Sequence, residues 1–290
     1  MVGIKPLLAV ITFVAVAFSG CTEGSSSFSE PAPEWRAGYT WSFDTTVEGE
    51  YIEEEDGETY NETWDESYRE VLEVLNTTQV MEGRQVYLTA HQIGDWGNNL
   101  VAVRADDLSS MWVEWDDCDD ADCLAPLELE LYQSHDEVPR QYAFPLAGGS
   151  AWADTLASDD DFDISIQVSS RVTGPKVIET QLGAIDTIQV QRSLRILNLQ
   201  EVLDFLREEI ESEGGKVIRL DGDFRADITD HYAPVYQHTV RSVVTETSRF
   251  HLEVEFEGER MSEKERSQTV YTTELVGATL SAGPEKSLGQ

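Results

Sequence analysis

Alternation of apolar and polar residues constrains this chain most. Phe250, Leu252, Val254 and Phe256 fall on one side of an extended segment, and His251, Glu253, Glu255 and Glu257 on the other. Ile188, Val190, Leu194 and Ile196 repeat the pattern against Gln189, Gln191, Ser193 and Arg195, with Arg192 interrupting the apolar side. A period of two is the signature of a strand, and a polar second face implies an antiparallel sheet with one solvated side. The stretches 68–75, 84–93, 98–104, 110–115, 127–133, 163–172, 216–230 and 268–276 also read as strands. With 290 residues, 40% of them hydrophobic, the chain can bury a sizeable core.

One segment breaks the period. Leu199, Val202, Leu203, Leu206 and Ile210 follow helical spacing and predict an amphipathic helix over 199–213. Asn198 with Glu201 forms a capping-box pattern, and Gly214-Gly215 ends the segment. Glu208, Glu209, Glu211 and Glu213 oppose the macrodipole at its C-terminal end, so burial of the apolar stripe must hold it.

The first twenty residues read as an address. Lys5 precedes an apolar run from Pro6 to Phe18, too short for a comfortable membrane span and suited to a secretory signal. Phe18-Ser19-Gly20-Cys21 resembles a lipobox, the processing site of bacterial and archaeal lipoproteins, in which Cys21 carries the lipid. The resemblance implies a protein anchored to the membrane by its lipid and facing outside the cytoplasm. Residues 21–34 are expected to form a lipidated Cys and flexible linker, and 277–290 a disordered tail.

Between these ends the pattern predicts a mostly β fold of two similar curved antiparallel units, 35–140 and 141–276, the helix lying in the second. Gly38-Tyr39-Thr40-Trp41 returns as Gly149-Ser150-Ala151-Trp152 after 111 residues, and Thr78-Gln79-Val80 as Thr180-Gln181-Leu182 after 102. The difference falls at the acidic stretch 48–58. Phe144-Pro145-Leu146, continuing to Gly149 and Trp152, resembles the F-P-L-x-x-G-x-x-W opening of uncharacterised β-rich envelope lipoproteins. In those a Gly-to-Val turn motif follows, matched here by Gly183 and Val190, then a Tyr-x-Pro strand start, matched by Tyr232-Ala233-Pro234. These families look like the half-barrel of the lipoprotein carriers LolA and LolB. The resemblance implies a fold and a structural role for the Trp and Gly, with no catalytic residue to carry over.

Charge narrows the partners. Twenty Lys and Arg against 56 Asp and Glu give a formal charge of -36, which repels nucleic acid. The acidic runs Glu53-Glu54-Glu55-Asp56, Asp116–Asp122 and Asp159–Asp163 are candidate divalent-cation loops or simply a solvated surface; none has EF-hand spacing. Cys118 and Cys123 in an exported chain suggest a disulfide, with free thiols or a metal as rivals. Asn61 and Asn76 head glycosylation sequons. Of the five His, His231 and His238 are seven apart, opposite faces of a regular strand. Trp96, Trp112 and Trp115 are candidates for a sugar-binding surface or for the core. No nucleophile, phosphate-loop, dinucleotide or zinc motif is present, so no catalytic, metal or cofactor residue is assigned and the chain reads as a non-enzyme. The expected role is binding or scaffolding at the cell envelope. The alternative is a carrier of a hydrophobic small molecule or acyl chain, held in a concave β cavity with the helix as plug or lid.

Overall fold

The computed structural model describes residues 28–55, 57–81, 83–94, 98–115, 140–157 and 165–281. The first strands are β1 (Ser29–Glu30), β2 (Thr40–Glu55), β3 (Glu58–Met81), β4 (Arg84–Ile93), β5 (Asn98–Arg104) and β6 (Ser110–Trp115). Then come β7 (Leu146–Ala147), β8 (Ala151–Ala157), β9 (Ser165–Thr180), β10 (Gly183–Ile196) and the helix α1 (Leu199–Ser212). β11 (Lys216–Ala233), β12 (His238–Phe256) and β13 (Glu259–Thr279) complete the described chain. Cys21, Trp96, Cys118, Cys123, the acidic runs beyond residue 115 and before residue 165, and the expected strand 127–133 lie outside the described residues.

Eleven strands form one open, curved antiparallel sheet in the order β6-β5-β4-β3-β2-β13-β12-β11-β10-β9-β8. A mostly β architecture with one helix in its second half is therefore what the alternation predicts. The two halves are not two sheets. β13 pairs with β2 from Glu263↔Glu55 to Thr279↔Thr40, so the last strand supplies the hydrogen-bonding edge that β2 would otherwise expose. It runs past the expected boundary at 276, through a bulge between Leu275 and Gly277. Most of the acidic stretch is strand as well: Glu48–Glu55 belong to β2 and Glu58 opens β3, with Glu55 opposite Glu58.

Alternation decides which side chains look inward. Trp41, Phe43, Thr45 and Val47 share the inner face with Leu72 and Glu70 of β3 and Leu275 and Thr273 of β13. Val190, Arg192, Leu194 and Ile196 occupy the same face farther along the sheet, and all four are buried. Residues 28–39 and 140–150 fill this face at one end. Phe28 packs on the core, Trp35 is buried, and β1 pairs with β7, so the expected linker docks from residue 28 onward instead of hanging free. Phe28 within it and Trp35 just after it supply the burial that a Ser/Gly tether lacks.

The F-P-L segment does part of the filling. Leu146 is fully buried, Phe144 rests edge-on against Tyr232, and the Trp152 indole donates to the Arg140 carbonyl. Tyr232-Ala233-Pro234 closes β11 where the expectation was a strand start, because Pro234 has no N–H to continue the ladder and opens a turn to Gln237. That turn also corrects the reading of His231 and His238: they sit on adjacent strands, not on one. The repeat does not superpose element on element at every point. Thr78, Gln79 and Val80 lie within β3, whereas Gln181 and Leu182 form the turn between β9 and β10.

The helix lies one residue within the expected span. Leu203 and Leu206 pack with Val217 and Leu220 of β11 and Leu252 and Val254 of β12, with Phe250 and Phe256 at the margin. Burying such a Leu is worth roughly 1.5–3 kcal/mol, enough to outweigh the late glutamates. Its C-terminus closes as a Schellman motif: the Gly215 amide donates to Ile210 and Gly214 to Glu211, with Gly214 at φ 90°. The expected capping box is absent. The Asn198 carboxamide oxygen accepts instead from the Ser165 amide and fixes the start of β9.

Candidate functional site

The inner face holds a cavity of about 250 Å³ where the two halves of the sheet and the two inserted segments meet. Trp35, Phe43, Leu72, Val101, Val103 and Leu108 form its apolar wall. Glu70, His91, Arg192, Asp230, His238 and Thr239 are its principal polar members. No helix residue lines it.

Each polar member is placed by strand register. Glu70 of β3 accepts from Thr45 of β2 at 2.6 Å and pairs with His91 of β4 at 2.9 Å. Thr45 in turn meets Thr273 of β13 at 2.9 Å. Burial alone would raise the Glu70 carboxyl, but His91 and the Thr45 hydroxyl outweigh it and hold it below the usual carboxylate range. Arg192, the residue that interrupts the apolar side of β10, is mostly buried and donates to Asp230 at 2.9 Å. Ser242 donates to the other Asp230 oxygen at 2.7 Å. A buried ion pair of this kind survives only when both ions have further partners.

His238 opens β12 and is enclosed by aromatic rings. Its ring stacks on Trp35 with centroids 5.5 Å apart and planes 10° apart, and lies 5.0 Å from Trp41 and 5.1 Å from Phe43. Nδ1 is 3.0 Å from the Thr239 carbonyl, which makes it the protonated nitrogen and leaves Nε2 an acceptor. Burial pushes the imidazole down to about 4. The preceding turn is held from below, since the Trp35 indole donates to Gln237 at 2.8 Å and the Trp41 indole to Tyr236 at 2.9 Å. These bonds stabilise Gln237 at φ 54°, a region costly for a residue other than glycine. Thr239 also bonds the buried Tyr142 hydroxyl, which ties the inserted segment to β12.

The sequence-predicted site residues do not gather here. Asn61 is exposed on β3. Asn76 is buried, and its side-chain oxygen accepts from the Thr78 amide and hydroxyl at 2.7 and 2.9 Å. Trp112 and Trp115 lie in the edge strand β6. His231 neighbours Thr187 on the opposite side of β11, 3.2 Å from its hydroxyl. Of the acidic runs, Glu53 joins Glu263 and Glu265, with one oxygen of each within 4.8 Å of the others. Sequence reasoning did not pick out Glu70, His91 and Asp230. The interruption at Arg192 was the one usable signal, because a cation on an apolar strand face needs a buried anion.

No protein-family model matches the chain, and no curated protein does. Among solved structures, a DUF1329 family protein from Desulfovibrio piger aligns over 83% of this chain and 87% of its own at 10% identity. Its TM-score of 0.22 is too low for the likeness to carry an argument. No helix of the described residues is long and apolar enough to cross a membrane.

Proposed function

We propose that this is a lipid-anchored extracytoplasmic binding protein, attached through Cys21, whose cavity takes a small, partly polar ligand. One observation carries the reading. A cavity of about 250 Å³ remains at the end of the face that residues 28–39 and 140–150 fill, and its two carboxylates, Glu70 and Asp230, are already held by internal pairs. A group aimed at the cavity therefore meets a preformed surface and pays little for reorganisation. The volume is at or just below the small end of ligand pockets, about 300–1,000 Å³, and the wall is half polar. Both properties favour a compact ligand over a long acyl chain. The helix acts as core in this reading, because it covers β11 and β12 away from the cavity.

The test is titration with the neutral dye N-phenyl-1-naphthylamine, comparing wild type with Thr273→Phe, which places a ring in the cavity. Saturable emission from the wild type, lost in a variant that melts at the same temperature, supports the reading. Absence of saturable binding to the wild type, or equal binding to both, overturns it and favours a scaffold.

A further inference from the structure

Beyond the cavity the same inner face continues along β13, β2 and β3, and there it has a marked sidedness. Register places Tyr51, Glu53 and Glu55 of β2 inward, opposite Ser267, Glu265 and Glu263 of β13. On β3 the inward residues are Tyr60, Glu62, Trp64 and Glu66. No Lys or Arg of these three strands points to this side. Arg69, Arg260, Lys264 and Arg266 all alternate to the outer face. In a chain with 20 cations and 56 carboxylates, random placement would mix the signs on both faces.

The aromatic residues are set as a floor. The Trp64 indole lies flat on the backbone of Gly49, its cross-strand partner. A Cβ on Gly49 would come within 2.1 Å of that ring. One indole face is thus spent on the sheet while Trp64 stays partly exposed. Tyr51 is held beside it by donating to Glu265 at 2.8 Å, and Tyr60 donates to Glu62 at 3.0 Å. The helix, on the same side of the sheet, packs over β11 and β12, with Leu199 against a cluster that includes β9 and β10 residues, and leaves Glu62 and Glu66 exposed. From Glu263 to Tyr271 the track is about 27 Å long, and three strands make it roughly 10 Å wide.

From this arrangement we infer that the inner face of β13, β2 and β3 is a docking surface for an extended, Lys- and Arg-bearing peptide segment. Charge complementarity selects the sign. Carboxylates beside open aromatic faces favour cations through both ion pairing and cation–π contact. The length and narrow width favour an extended chain over a compact ion, since alternate side chains of such a segment recur at the spacing of the track. Burial first, and then Glu265, Glu53 and Glu55, push the Glu263 carboxyl up to about 7, and the repulsive part of that is what a bound cation would relieve. The surface is independent of the small-ligand reading.

A chain this acidic attracts any polycation weakly, so the test must separate this face from the bulk charge. The probe is a labelled decapeptide of alternating Lys and Ala, titrated by fluorescence anisotropy onto the whole mature protein at about 50 and about 300 mM salt. Two variants remove the same charge: Glu62→Gln with Glu66→Gln on the inner face, and Glu48→Gln with Glu50→Gln on the outer. A third, Gly49→Ala, displaces the indole and leaves every charge in place. Losses of roughly tenfold for the inner pair and for Gly49→Ala, with less than about twofold for the outer pair, are expected. Equal losses for both pairs, no loss with Gly49→Ala in a variant of unchanged melting temperature, or displacement of the probe by a neutral oligosaccharide would overturn the inference.

Discussion

The two ends of the long strands β2, β3, β12 and β13 share one inner face but meet different surroundings. At the core end Trp41 and Leu275 are fully buried, because residues 28–39 and 140–150 fill the concave side. At the far end the same alternating positions carry Tyr51, Glu53, Glu263 and Glu265, all partly exposed. The helix roofs β11 and β12 there. The difference teaches that register decides which way a side chain points, while what covers it depends on segments distant in sequence.

The polar groups record the same contrast. At the core end each carboxylate has its own partner, Glu70 in His91 and Asp230 in Arg192, and each has a second in a hydroxyl. At the far end like charges are crowded, and Tyr51 is the hydroxyl donor between Glu53 and Glu265. Buried ions must be neutralised in pairs, whereas at the far end burial and the neighbouring carboxylates push the Glu263 carboxyl up to about 7.

The largest expected effect tests the helix as a roof. Leu203→Ala with Leu206→Ala should destabilise the sheet by about 2–5 kcal/mol per substitution in denaturant unfolding. A double variant with unchanged stability and altered dye binding would make the helix a movable lid and erase the distinction between covered and open strands. Next comes His238. Its folded pKa of about 4 lies below the ordinary 6.5, so the unfolded chain binds the proton first. The contribution is present in full above pH 6.5 and is lost as pH falls toward 4, about 3 kcal/mol in all. A His238→Gln variant should flatten that stretch of the stability–pH curve, while Glu70, still ionised there, supplies a further loss at lower pH.

The smallest effect has the opposite sign. Glu263 is raised to about 7 from 4.5, so its contribution is lost as pH rises through that window. Glu263→Gln should therefore be more stable than wild type above pH 7 and indistinguishable from it below 4.5. The two windows, about 4–6.5 for His238 and 4.5–7 for Glu263, overlap with opposite slopes, so the wild-type curve should be shallow there and each single variant should unmask the slope of the other group, which would confirm that one face hosts two environments. If Glu263→Gln is neutral at every pH, the carboxylates at the far end are not coupled.

Much of the fold was legible before any coordinates. The edges of three strands, 84–93, 98–104 and 110–115, follow from alternation and turn residues, and the helix follows from its five apolar positions. These are local properties: a period of two or of 3.6 is written in neighbouring residues. What alternation could not reach is who lies across from whom. Arg192 is visible as an intruder, yet Asp230 is 38 residues away and is chosen by the pairing of β10 with β11. Asn198 looks like a helix cap and is taken by Ser165, 33 residues earlier, because a tertiary partner won the same oxygen. The cavity needs strands from both halves and two inserted segments, so it exists only once β13 has closed onto β2. The sequence by itself determined the faces of the strands and the charge of the surface. Tertiary structure alone decided which part of one face became a dry core, which a cavity and which an open acidic track, since burial is set by contacts that no local pattern encodes.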